Sequence, residues 1–183
     1  MNKLLAALAV SAGVPLFLMA CDGPVDTPVA SAEVQGIEAD LVYYGMVSFL
    51  TASGVREGRV EADTAYAFND SAVVKLRGMR LVFYNADGSE RAAVSAEAGE
   101  MNENTDRLVA RGNVVLIVHG DGRRVETAEL NYDPNADRIW SDSATVQTLA
   151  NGSVTRGSAF ESDLDFRNVR IANPRGAISN IVF

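Results

Sequence analysis

The chain has 183 residues, with 24 acidic against 16 basic side chains, a formal net charge of −8, one cysteine and one histidine. That balance argues against a nucleic-acid partner and against an electrostatic grip on anionic lipid headgroups. A single cysteine leaves no internal disulfide, and a single histidine leaves no His cluster to hold a metal.

Met1-Asn2-Lys3 is a short basic start, and Leu4–Met19 is an apolar run. At about 16 residues the run falls short of the roughly 20 needed to span a bilayer. Gly13 and Pro15 also break it. It closes on Leu18-Met19-Ala20-Cys21, an aliphatic residue and then a small one before cysteine. This resembles the signal of a bacterial lipoprotein. The resemblance implies that residues 1–20 are a signal peptide, to be left out of fold reasoning, and that Cys21 carries a lipid anchor. Several acyl chains, at about 0.8 kcal/mol per buried CH₂, attach a protein stably to a membrane. Asp22 resembles the inner-membrane retention signal of enteric lipoproteins. The expected location is therefore the periplasmic face of the inner membrane, with the outer membrane as the alternative. Residues 21–34 contain Pro24 and Pro28, lack periodicity and read as a tether. The folded domain is expected over residues 35–183, one domain in size.

Leu41–Leu50 reads as a first strand, rich in aromatic and branched residues. Thr51-Ala52-Ser53-Gly54 reads as a turn. Arg59–Phe68 then alternates, with Val60, Ala62, Tyr66 and Phe68 expected on one face. Ala72–Tyr84 is a long strand. Val74 and Leu76 share one parity before Gly78, and Met79, Leu81 and Phe83 share the other after it, which predicts a β-bulge at the glycine. Leu108–Gly122 is the clearest strand. Leu108, Ala110, Val114, Leu116 and Val118 form an apolar face, and the opposite face is mixed. Whether Gly112 switches the register is open, because both faces beyond it carry apolar residues.

The same unit is written repeatedly. Asp87-Gly88, Asp121-Gly122 and Asn151-Gly152 are expected to supply two-residue hairpin turns. A second strand follows each. Asn69-Asp70-Ser71, Asn104-Thr105-Asp106 and Asn135-Ala136-Asp137 form a second set of turn signals. A period of roughly 30 residues with two strands per unit indicates stacked antiparallel hairpins. The third copy, around Arg138–Asp142, is weaker. In the last portion Leu164 and Phe166 are expected to face one way, and Asp163 and Asp165 the other. Turn residues interrupt every candidate helix, so the chain reads as all-β.

Reactive chemistry is sparse. His119 stands alone beside a turn. Asp87, Asp121, Asp133 and Asp137 are loop carboxylates of the kind that form turns. Ser141, Ser143, Ser158 and Ser162 lack a partner base. Asn151-Gly152-Ser153 matches a glycosylation acceptor but reads as a hairpin turn. No catalytic pair, metal set or cofactor motif emerges, and no enzyme activity is expected.

Hairpin repeats with a mid-strand glycine, an N-terminal anchor and the closing segment Gly157–Ile171 resemble the LptC family of lipopolysaccharide export proteins and the related soluble bridge protein LptA. The resemblance covers about Gln35–Ile171. Many members carry an uncleaved transmembrane helix where this chain has Cys21. The resemblance implies a twisted β-jellyroll open at both ends, a two-sheet β-sandwich with an apolar groove for lipid A acyl chains. It implies loading by an inner-membrane ABC transporter and delivery to a periplasmic LptA-like protein by edge-strand pairing. The residues expected to face the groove are Val74, Leu76, Leu81, Phe83, Val94, Ala96, Leu108, Ala110, Val114, Leu116, Val118, Ile139, Phe160, Leu164 and Phe166. Two other readings stay open: a structural or adaptor envelope lipoprotein with a closed β-sandwich, and a carrier of another amphiphilic lipid.

Overall fold

The computed structural model of the chain describes residues 39–52 and 54–176. The expected signal peptide, Cys21, most of the segment before the first strand, Ser53 of the first turn and the last seven residues lie outside the described residues.

The described residues hold eleven strands and no helix. They are β1 Leu41–Ala52, β2 Val55–Ala67, β3 Val73–Tyr84, β4 Glu90–Asn102, β5 Arg107–Val118 and β6 Arg123–Asp133. Five short strands follow: β7 Arg138–Ser141, β8 Thr145–Thr148, β9 Val154–Gly157, β10 Ala159–Ser162 and β11 Arg170–Ala172. All pairings are antiparallel and join the strands into one open sheet, in the order β1-β2-β3-β4-β5-β6-β7-β10-β11, which is the all-β, jellyroll-like architecture expected from the sequence. The sheet forks at β6. Its C-terminal end pairs with β7 and its N-terminal end with β8, which carries β9.

The turns follow from local chemistry. Gly88 adopts φ +84° and Gly152 φ +82°, while Asp87 and Asn151 keep negative φ. Asn85 N–H donates to the Ser89 carbonyl at 2.8 Å, and Leu149 N–H to that of Ser153 at 2.9 Å. These are three-residue loops closed by a glycine in the left-handed region, not two-residue turns. The side chains of Asp87 and Asn151 accept the N–H two residues on, which fixes the loop. The Asp121-Gly122 hairpin is longer again, since pairing stops at Val118 and Arg123. At the other end of the hairpins the organising acceptors are Asn102 and Asp133.

A line of parity switches crosses the sheet. It runs through Gly45 of β1, Asp63 of β2 and Gly78 of β3. Before it the inner residues are Ala65 and Leu76; after it they are Ala62 and Met79. The expected flip at Gly78 is present, with φ +59°. The partner strand switches with it, so no extra residue is inserted there. This corrects the reading of β2. Tyr66 and Phe68 lie on the outer face, under Arg77 and Lys75 respectively. In β5 both Gly112 and Asn113 take positive φ. β5 carries one extra residue here relative to both β4 and β6, and this restores the original parity, so Ala110 and Val114 both point inward.

The final portion also departs from the expected alternation. Residues 163–169 form a loop between β10 and β11. The Asp163 carboxylate organises it by accepting the N–H groups of Arg167 and Asn168. Phe166, at φ +59°, enters the core there.

Candidate functional site

The inner face of the sheet is one apolar cluster. Of the residues expected to face inward, Val74, Leu76, Leu81, Phe83, Val94, Leu108, Ala110, Val114, Leu116, Val118, Ile139, Phe160 and Phe166 are buried in it. Ala96 and Leu164 are half-buried against it. Each fully buried side chain of this kind contributes about 1.5–3 kcal/mol by leaving water. The sequence reading missed Leu50, Ala65, Met79, Met101, Val125, Leu130 and Tyr132, which belong to the same cluster. Met79 was readable from the flip at Gly78; Leu130 and Tyr132 follow a further switch between Thr127 and Leu130 that no glycine marks.

One end of the interior is closed by aromatics. The Phe83 ring lies 5.4 Å from that of Tyr132 and 5.8 Å from that of Phe166. Burial, with Glu57 and Asp106 nearby, pushes the Tyr132 phenol up to about 12. The phenol is therefore neutral at any physiological pH.

The inner face opens along the edge strand β1. Leu50 is buried and Met46 half-buried, but Tyr43 is 48% exposed and Leu41 50% exposed. Register places Leu41 opposite Ala67 and Tyr43 opposite Ala65, so both stand on the inner face. The outer face of the same strand exposes Tyr44, Val47 and Phe49. β1 contains no charged residue and no proline. Its outer edge has no partner strand among the described residues. A long, uncharged edge with free backbone groups is a template for another strand.

The polar residues singled out from sequence are dispersed. His119 lies 3.7 Å from Glu90 and is exposed. Among the described residues no group of three His, Cys, Asp or Glu side chains gathers to hold a metal. Asp133 is buried, and Arg107 lies 2.7 Å from it. Burial pushes its carboxyl up, but Arg107 and the N–H groups of Ala136 and Asn135 outweigh that and hold it below the ordinary value. Ser141 bonds Thr127 at 2.8 Å in a buried hydroxyl pair under the fork. Ser162 is buried, Ser143 donates its N–H to Ser141, and Ser158 bonds Asn173.

The model of the lipopolysaccharide-assembly, LptC-related family matches residues 6–176. The chain belongs to this family. Its coarse role is that of the family, lipopolysaccharide transport in the periplasm, and the family is not one of enzymes. A solved structure, that of LptH, the LptA-homologous periplasmic component of the lipopolysaccharide transport device from Pseudomonas aeruginosa, is 13% identical, with a TM-score of 0.49. The match covers 62% of this chain and 80% of that one. No curated protein matches the chain.

Proposed function

We propose that this family member is a lipid-anchored carrier on the periplasmic face of the inner membrane. Residues 1–20 are a signal peptide, Cys21 bears the anchor, 21–34 tether it, and 35–183 form the carrier domain. It accepts lipopolysaccharide from an inner-membrane ABC transporter and passes it to a periplasmic LptA-like protein by edge-strand pairing. The acyl chains of lipid A lie among the inward residues from Val74 to Phe166.

The observation that carries this reading is the exposure of inner-face Leu41 and Tyr43 on β1. There alone on that strand does a gradient of burial, from Leu50 outward, lead from the core to solvent. An acyl chain that enters at Tyr43 meets apolar side chains all the way to Leu116. A lipid anchor keeps the domain near the bilayer without inserting a helix into a transporter.

A specific observation favours a second reading, a scaffold lipoprotein with a closed core. Leu76, Leu81 and Leu116 are each about fully buried, and Phe83, Tyr132 and Phe166 fill one end. In-cell photo-crosslinking separates the two. A photoreactive phenylalanine analogue replaces Leu116, on the inner face, or Arg111, on the outer face. Glycolipid adducts at Leu116 and not at Arg111 support the carrier. Adducts at neither site, in folded and anchored protein, sink it and leave the scaffold.

A further inference from the structure

Arg156 and Arg175 stand directly opposite each other where the strands of the fork come back together. Arg156 N–H donates to the Arg175 carbonyl at 3.0 Å, and Arg175 N–H to that of Arg156 at 2.8 Å. In such a pair the two Cα atoms are ~5.5 Å apart and both side chains leave the same face of the sheet. Like charges so placed repel. A nearby carboxylate is the ordinary remedy, and this chain has acids to spare. Yet among the described residues neither arginine has an acidic partner. Arg170 of the adjoining β11 apart, every other described arginine and Lys75 either has a carboxylate partner or lies over an aromatic ring. Among the described residues, arginines with neither a carboxylate nor a ring partner are thus confined to the C-terminal strands.

The two arginines border an open cleft of about 430 Å³, with Ala144, Gly157, Ser158 and Asn173 as its other walls. No carboxylate lines it. Asn173 donates its side-chain N–H to the Ser158 hydroxyl oxygen at 2.9 Å. The hydroxyl proton is therefore left to point at another acceptor. Gly157 is what lets the strands close: a Cβ there would run into Ile171 and the Ala172 carbonyl. The close approach is built by the backbone, so the paired charges are imposed by the fold and are not a loose surface accident.

We infer that this cleft binds a phosphate group, with Arg156 and Arg175 as its two charged forks and Ser158 as a hydroxyl donor. A carboxylate carries one negative charge and would leave one guanidinium uncompensated. A phosphate monoester carries about −1.5 to −2 at neutral pH and presents three acceptor oxygens, which matches two forks and a hydroxyl. A phosphorylated headgroup of the transported lipid and free phosphate share this chemistry. The headgroup assignment rests on the carrier reading above; the phosphate site does not.

The test uses the full-length, ¹⁵N-labelled chain in detergent, titrated with inorganic phosphate and with glucosamine 1-phosphate at constant ionic strength. Saturable amide shifts at Arg156, Gly157, Ser158 and Arg175 are expected, weakened at least tenfold in R156Q/R175Q. Removing two repelling charges does not threaten the fold, and an unchanged thermal midpoint checks this. Absence of saturable shifts with both probes overturns the site. Lipid-bound phosphorus on the chain extracted from cells then identifies the source. A severalfold fall in R156Q/R175Q supports the headgroup. Unchanged lipid phosphorus, with the titration lost, overturns the headgroup assignment and leaves free phosphate as the occupant. Loss of glycolipid adducts at Leu116 in the unsubstituted chain would sink the carrier reading while leaving the titration result intact.

Discussion

The rings of Phe83 and Tyr132 lie 5.4 Å apart although the sheet separates them by three strand spacings. Register puts Phe83 level with Ala92, Val118 and Arg123, and Tyr132 lies nine residues further along β6. On a flat sheet the two positions would be ~14 Å apart across the strands and ~30 Å along them. They meet only because the sheet coils until its inner face covers itself. A single curved sheet thus does the work of a two-layer sandwich. Phe83→Ala removes a ring from the contact that closes the coil. It is expected to cost about 3–5 kcal/mol, read from urea unfolding. Phe83→Leu keeps most of the volume and is expected to cost well under half of that. Equal losses would show that the ring does not hold the coil.

Tyr132 adds a pH signature to the same contact. Its folded pKa, about 12, lies above the unfolded value of about 10. Above pH 10 the unfolded chain releases this proton and the folded chain keeps it. Stability is therefore full below about pH 10 and falls as pH rises toward 12. Two units correspond to about 2–3 kcal/mol. Tyr132→Phe is expected to reduce the alkaline loss of stability by that amount. Guanidinium unfolding of both chains between pH 9 and 11.5 measures it.

Gly78 and Gly45 sit on the same line of parity switches but answer to different constraints. Both have positive φ, +59° and +63°. A Cβ at Gly78 would strike the Asp63 carboxylate, whereas at Gly45 nothing lies within 4 Å. Gly45→Ala is expected to cost only the left-handed backbone term of about 1–2 kcal/mol. Gly78→Ala is expected to cost more, and Asp63→Ala in the same chain should recover the excess and no further. Thermal unfolding of the three variants gives the comparison.

The sequence carries the hairpins because turn chemistry is local: Asp87-Gly88 and Asn151-Gly152 name their own loops. The flip at Gly78 is readable because Leu76 and Met79 change parity around a glycine. The same event in β2 is silent, because Asp63 marks it with no unusual residue, and so Tyr66 is assigned to the wrong face. The cores of β3 and β5 are legible, since Val74 and Leu76 alternate before Gly78, Leu81 and Phe83 after it, and Val114, Leu116 and Val118 along the end of β5. The loop that inserts Phe166 was not, since Asp163 organises it through backbone N–H groups that no periodicity displays. The exposure of Leu41 and Tyr43 was equally hidden. Their alternation is that of a buried strand, and only the coiling of the whole sheet decides that this corner of the inner face is left uncovered.

Asp133 is expected to make the described domain acid-sensitive. Its carboxyl is held below the ordinary value against the opposing push of burial, through Arg107 and two backbone N–H groups. A depressed carboxylate contributes stability that is present above the unfolded pKa of about 3.9 and is lost as pH falls through the folded value. Asp133→Asn is expected to lower stability at pH 7 by on the order of 2 kcal/mol. It should also flatten the decline below pH 4. Parallel curves for the two chains would assign the acid sensitivity elsewhere.

The two faces of β1 separate lipid access from partner pairing. Tyr43 and Val47 lie on the same edge strand, 48% and 54% exposed, but point to opposite faces of the sheet. Both are solvent-facing, so a lysine at either is expected to change stability by no more than about 0.5 kcal/mol. Tyr43→Lys places a charge on the inner face, in the path of an acyl chain. It is expected to lower glycolipid crosslinking at Leu116 several-fold. Val47→Lys leaves that path apolar and should leave the adduct level near that of the unsubstituted chain. Both lysines sit on an edge where charge discourages strand addition. If edge pairing alone governs loading, the two substitutions will lower the adducts equally. A loss confined to Tyr43→Lys means that lipid reaches the core across the exposed corner at Leu41 and Tyr43.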